Sequence, residues 1–302
     1  MTQPEIAQSE ITQSEITQPE ITQPEITQAE ITQAQITQAQ TTVAPRLAAR
    51  ELSLGYDDRV VVDRLDLDVL DGRVTAIVGA NACGKSTLMR GLARLLRPSA
   101  GEVLLDGTPI LDRGSREVAR LLGLLPQTPV APDGITVGDL VSRGRHPHQG
   151  WFRHWSARDE EAVAEALAAT DTGELVDRPL RALSGGQRQR VWIAMALAQQ
   201  TDLLLLDEPT TYLDISHQVD LLRLLRTLNR ETGRTIVTVL HDLNLACRYS
   251  DHLVVMADGR ILAEGPPDEV VTAEVVEKAF GLPCVVVPDP VAGTPMVVPA
   301  GD

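Results

Sequence analysis

Residues 74–87 read VTAIVGANACGKST, and this stretch decides the fold. Its first six residues are largely apolar and β-branched, the composition of a strand buried on both faces. Gly79–Ser86 then match G-x-x-x-x-G-K-[ST], a pattern that carries meaning only after a strand and before a helix. Both conditions hold: Leu88, Leu92 and Leu95 follow along one side of a helix, and Pro98 is expected to stop it. In such a loop the backbone N–H groups and the helix N-terminus converge on an anion. Lys85 is expected to reach the outer phosphates of a nucleotide and Ser86 to hold Mg²⁺ through its hydroxyl. Gly79, Asn81, Gly84 and Thr87 complete the cradle.

Outward from the loop, two further buried strands are expected, LLLLDEP (203–209) and TIVTVLH (235–241), with the helix HQVDLLRLLRTLNRETG (217–233) between them. Strand, helix, strand with short joins is the grammar of a parallel sheet. The first strand delivers Asp207 and Glu208 at its carboxyl end beside the phosphate loop. Asp207 is placed to hold Mg²⁺ and Glu208 to polarise an attacking water. Before the loop, LAARELSLGY (47–56) and VVVDRLDLDVLDG (60–72) alternate with period two and read as antiparallel strands. LVVMADGRILAEG (253–265) reads as a hairpin about Asp258-Gly259. From about 128 to 199 the pattern turns helical. The expected fold is α/β: a P-loop NTPase core with a parallel sheet, an antiparallel β-subdomain and an inserted α-helical subdomain.

Residues 2–41 repeat every five residues (TQPEI, AQSEI, TQAQI). That period builds no apolar stripe on a helix and puts successive Ile residues on alternate faces of a strand. A disordered tail over 1–45 is therefore expected, followed by an ordered domain over 46–288 and a C-terminal tail over 289–302. The formal net charge is −15, which argues against a nucleic-acid partner. No apolar run reaches the ~20 residues of a membrane-spanning helix, and the first residues lack the layout of a secretory signal. Cys83, Cys247 and Cys284 form no CxxC pair, and a reducing compartment fits.

LSGGQRQR (183–190) is a second glycine-rich helix start, but it has no phosphate-loop lysine. GANACGKST, LLPQ (124–127), LSGGQRQR, LLLLDEP, TYLD (211–214) and VLHD (239–242) occur in this order and spacing. Together they resemble the ATP-binding subunit of ABC transporters over about residues 46–288. The resemblance implies a homodimer in which Ser184, Gly185, Gly186 and Gln187 of one chain cover the γ-phosphate held by the other chain's lysine loop. It further implies that Tyr56 stacks on adenine and that Gln127 senses Mg²⁺ and the attacking water. On the same resemblance His241 bonds the γ-phosphate, and Asp214 belongs to a loop that communicates across the dimer.

Relatives mostly carry Pro and Gly where this loop has Ala80 and Ala82. If position 82 needs a positive φ, Ala costs roughly 1 kcal/mol there, and nucleotide affinity is expected to register it. Alkylation of Cys83 is expected to block ATP by bulk. VSRGRHPHQGWFRHW (141–155) invites a metal or RNA reading, but His146, His148 and His154 lack i, i+4 pairing and Pro147 interrupts them. The stretch resembles instead a segment of ATPases serving ferric-siderophore and cobalamin importers, as does the tail from Ala257. That implies a peripheral ATPase at the cytoplasmic face of the cell membrane. Its exposed aromatics and arginines would dock a membrane permease, which a substrate-binding protein serves indirectly. Iron-complex import is expected, a ferric siderophore before cobalamin or haem. A non-transport ATPase, for instance for cluster assembly, and a nucleotide-binding module without hydrolysis remain as rivals.

Overall fold

A computed structural model describes residues 45–150, 155–211 and 213–301; the repeat lies outside the described residues. β1 (Leu47–Tyr56) and β2 (Arg59–Val69) pair antiparallel, and β4 (Ala100–Leu105) and the short β5 (Thr108–Pro109) extend the sheet in the order β2-β1-β4-β5. β3 (Val74–Gly79) interrupts this run in sequence and belongs to a second sheet. That sheet has the order β10-β9-β3-β8-β7-β6, from β6 (Leu122–Leu125), β7 (Leu203–Leu206), β8 (Thr235–Val239), β9 (His252–Ala257) and β10 (Arg260–Gly265). Its strands are parallel except β10, which turns back on β9.

Alternation along the central strands feeds two cores. Ile77, Leu203, Leu205, Val237, Val239, Val254 and Met256 face the antiparallel sheet, together with Leu88 and Leu92 of helix α1 (Lys85–Leu92). Ala76, Val78, Leu204, Leu206, Ile236, Leu253 and Val255 face the opposite side. A strand buried on both faces favours apolar and β-branched residues throughout, so these strands read as near-continuous runs broken by the buried Thr75, Thr235 and Thr238.

α1 ends at Leu92, sooner than Pro98 suggested. Arg94 takes a left-handed φ of 62°, and its guanidinium donates to Ser115 Oγ and to the Leu111 carbonyl. Leu95 consequently leaves the apolar side and is 64% exposed.

After α2 (Ser115–Leu121) and β6, the chain enters a helical segment with α3 (Val137–Ser142), α4 (Ala157–Ala169) and α5 (Gly185–Ala198). Val141, Ala166 and Ile193 of these helices join the same core as Leu204 and Leu206. Arg145, only 2% exposed, fastens the segment: it donates to Asp159 Oδ1 at 2.9 Å, to the Ala198 carbonyl at 2.8 Å and to Gln200 Oε1 at 3.0 Å. It is therefore withdrawn from the docking surface that the run of arginines suggested. Residues 151–154 of that run lie outside the described residues.

α6 (Ile215–Thr232) links β7 to β8, and α7 (Leu243–Tyr249) links β8 to β9. α8 (Pro267–Val270) and α9 (Ala273–Phe280) then lead to β11 (Cys284–Pro288) and β12 (Pro295–Pro299), which pair antiparallel. The boundary expected at residue 288 thus falls inside a hairpin. Asn244 of α7 holds β12 from both sides of one peptide, accepting from Val297 N at 2.7 Å and donating to Val297 O at 3.2 Å.

Candidate functional site

The register brings four strand ends together. Ile77 lies beside Val239, Leu206 beside Thr238, and Leu125 beside Leu206. The residues that follow each strand therefore collect at one edge of the sheet: the phosphate loop after β3, Gln127 after β6, Asp207-Glu208 after β7, and His241 after β8. A cleft of ≈ 270 Å³ opens there, lined by Asn81, Ala82, Gly84, Lys85, Ser86, Thr87, Glu208 and His241, with Arg59 and Val61 from β2.

The loop is tightly constrained by its own chain. Gly79 sits at φ 152°, and a Cβ there would stand 2.3 Å from the Met256 carbonyl oxygen, so only glycine fits. Ala82 does take a positive φ, 63°. Lys85 is buried and donates from Nζ to the Gly79 and Ala80 carbonyls, each at 2.9 Å. Ser86 Oγ donates to Asp207 Oδ1 at 3.1 Å. Cys83 is buried under the loop, and burial pushes its thiol above the usual range. Alkylation is thereby disfavoured on two counts, access and thiolate fraction.

Two adjacent carboxylates meet different fates. Burial pushes Asp207 up, against the Ser86 hydrogen bond. Burial acts the same way on Glu208, but three donors on Oε2 outweigh it: Gln127 Nε2 at 2.6 Å, His241 Nε2 at 2.8 Å and Thr211 Oγ1 at 3.2 Å. Glu208 is held below the ordinary carboxylate range and stays ionised at neutral pH. Glu208 itself sits at φ 52°, backbone strain of the kind that collects at functional sites.

Other candidates stand away from the cleft lining. Tyr56 is at the end of β1, 41% exposed, its hydroxyl accepting from Arg90 of α1 at 3.1 Å. Ser184 caps α5 in a reciprocal box with Gln187: Gln187 N donates to Ser184 Oγ at 3.2 Å, and Ser184 N to Gln187 Oε1 at 3.1 Å. Gly185 and Gly186 open that helix, and none of the four residues lines the cleft. Asp214 caps α6, and its pKa falls to about 2, chiefly through the His217 backbone N–H and then its ring. Sequence reasoning missed Arg59, Thr211 and His217. Thr211 begins the TYLD motif, which was the one available signal; Arg59 and His217 gave none.

The family profile described as ABC transporter matches residues 62–211. The chain is 56% identical over 256 residues to the ferric enterobactin transport ATP-binding protein FepC of Escherichia coli, covering 85% of this chain and 94% of that one. It is 52% identical over 255 residues to the achromobactin transport ATP-binding protein CbrD of Dickeya dadantii, covering 84% and 95% respectively. Among solved structures, a dimeric bacterial ABC transporter cassette superposes with a TM-score of 0.66 at 26% identity, over 73% of this chain and 98% of that one.

Proposed function

The chain belongs to the ATP-binding subunits of ABC transporters, an ATPase family, and from that premise we propose that it powers import of a ferric siderophore through a separate membrane permease. Two relatives named for ferric enterobactin and achromobactin transport, matched over 94% and 95% of their own length, support this cargo. No helix among the described residues is long and apolar enough to cross a membrane, which is consistent with a permease formed by other chains.

The observation that carries the catalytic reading is the convergence of Gln127, Thr211 and His241 on Glu208 Oε2. An ionised carboxylate so held is pre-oriented to accept a proton from water attacking the γ-phosphorus in line, while Lys85 and the loop amides take the phosphate charge. His241 and Gln127, released from Glu208, can turn their donors to the γ-phosphate. Ser86 Oγ, the Asp207 carboxylate and Gln127 present oxygens, the donor set that suits Mg²⁺; bound there, Mg²⁺ would neutralise phosphate charge. Tyr56 supplies an exposed ring for adenine. Ser184, Gly185, Gly186 and Gln187, with Asp214, are read as the face offered to the nucleotide of a second copy. The test is Glu208→Gln: turnover is expected to fall by roughly 10²–10⁴ with ATP binding retained. Near-normal turnover would remove Glu208 from its role. Loss of ferric-siderophore uptake, with cobalamin uptake intact, in a deletion strain tests the cargo.

A further inference from the structure

His217 lies outside the phosphate cleft, yet it touches both segments that the proposed function assigns to a second copy's nucleotide. Its backbone N–H and its Nδ1 both meet Asp214 Oδ1, at 3.0 and 2.6 Å. This double contact fixes the ring from one edge. The opposite edge lies on the first turn of α5: a Cβ added at Gly186 would stand 3.2 Å from His217 Cδ2 and 3.5 Å from Nε2. A turn further along, Arg190 of α5 approaches Asp220 of α6 at 3.7 Å, and Asp171 at 3.7 Å. These outer pairs are partly exposed and long, so they hold little. Deeper residues of both helices, Val191 and Ala194 of α5 with Leu221 and Leu222 of α6, share one core, and at the first turns the imidazole joins the two helices.

Neither helix needs that ring in order to form. Asp214 caps α6 through the backbone N–H of His217, which any residue would supply. The start of α5 is closed by its own Ser184–Gln187 box. The ring's distinct contribution is to join the two caps, and glycine at 186 lets it reach the backbone.

We propose that His217 is a positioning residue: a strut between the Asp214 loop and the Ser184–Gln187 turn that makes the two present themselves to a second copy as one unit. This rests on the reading of both segments as the face that meets a partner's nucleotide. His217 takes no part in holding the nucleotide of its own chain.

The test compares His217→Ala, His217→Asn and His217→Phe in the full chain. Asn keeps a bond to Asp214 without the ring, and Phe keeps the ring without the bond. In the free chain, amide exchange at Gln187 and Arg188 should quicken by about tenfold in the Ala variant and less in the other two. ATP affinity of the single chain should be unchanged. In the complex with its permease, kcat should fall by about tenfold in the Ala variant with KM for ATP little moved. Unchanged exchange at 187–188, unchanged kcat, or a loss of single-chain ATP affinity in step with the exchange would each overturn the strut. The exchange measurement needs no second copy, so it separates this proposal from the reading of the site. Full turnover with Gly185 replaced by a bulky residue would end that reading and leave the exchange result standing.

Discussion

Replacing Ala82 by glycine tests where the strain in the phosphate loop is felt. Ala82 lines the cleft at φ 63°. For a residue with a Cβ that conformation costs roughly 1–2 kcal/mol. Glycine removes the clash but returns about 0.4–1 kcal/mol through the greater freedom of the unfolded chain. The net gain is about 1 kcal/mol, or roughly 2–4 °C in Tm for a domain of this size. ATP affinity is a separate matter, because binding responds only to the difference in strain between free and bound loop. Here the loop is set by contacts within the chain: Gly259 N donates to Cys83 O at 3.0 Å, and Lys85 Nζ closes on two loop carbonyls. A preformed loop carries the same strain in both states. Ala82→Gly should therefore raise Tm while leaving the Kd for ATP unchanged, which revises the expectation from sequence that affinity would suffer. Thermal unfolding and a nucleotide titration on the same preparation decide it. A Kd that tightens about fivefold, the full equivalent of 1 kcal/mol, with Tm unmoved would refute the argument.

Two more outcomes follow from the same geometry. Asp207 has its pKa raised by burial, so the folded chain binds that proton more tightly than the unfolded chain. Its stabilising contribution is complete below the ordinary carboxylate range and is lost as pH rises through the raised value; in chelator-treated buffer Asp207→Asn should be more stable than the parent at neutral pH while losing turnover, and equal or lower stability would contradict the sign. Truncation after Pro288 removes five cross-strand pairs and both Asn244 bonds. That amounts to roughly 3–6 kcal/mol and on the order of 10 °C in Tm, so a melting curve that matches the full chain would return residues 289–302 to the status of a tail.

What the sequence revealed and what it hid differ by the range of the forces involved. β3, β7 and β8 were legible because a strand covered on both faces is apolar or β-branched along its length, a local signature of a global placement. The left-handed φ of Ala82 entered the sequence reading only as a condition, suggested by the family resemblance, and the structure supplies it. The early end of α1 was not, because Arg94 is drawn out of the helix by Ser115 and Leu111, some twenty residues away. The C-terminal hairpin was hidden for the same reason: its anchor, Asn244, stands 53 residues from Val297. Arg145 looked like one surface arginine among several, and only the fold brings Asp159 and the end of α5 around it.

The geometry also explains why two glycine-rich helix starts serve one chain without redundancy. At the first, a buried lysine is bonded back onto its own loop, and Ser86 faces a carboxylate. Positive charge and a metal-suited oxygen set stand on one side of a cleft open to solvent. At the second, the box of Ser184 and Gln187 satisfies the Gln187 N–H. Gly185 and Gly186 precede Arg188, the first intrahelical donor, which bonds the Ser184 carbonyl, so their own N–H groups have no intrahelical partner. Unpaired amides at a helix start are donors for an anion, yet this turn lacks a lysine and stands apart from the chain's own phosphate cleft. On the proposed function each site is half of an anion pocket, strong in what the other lacks. Two copies facing head to tail would, on that reading, complete both pockets at once, and only then would the γ-phosphate have donors on every side.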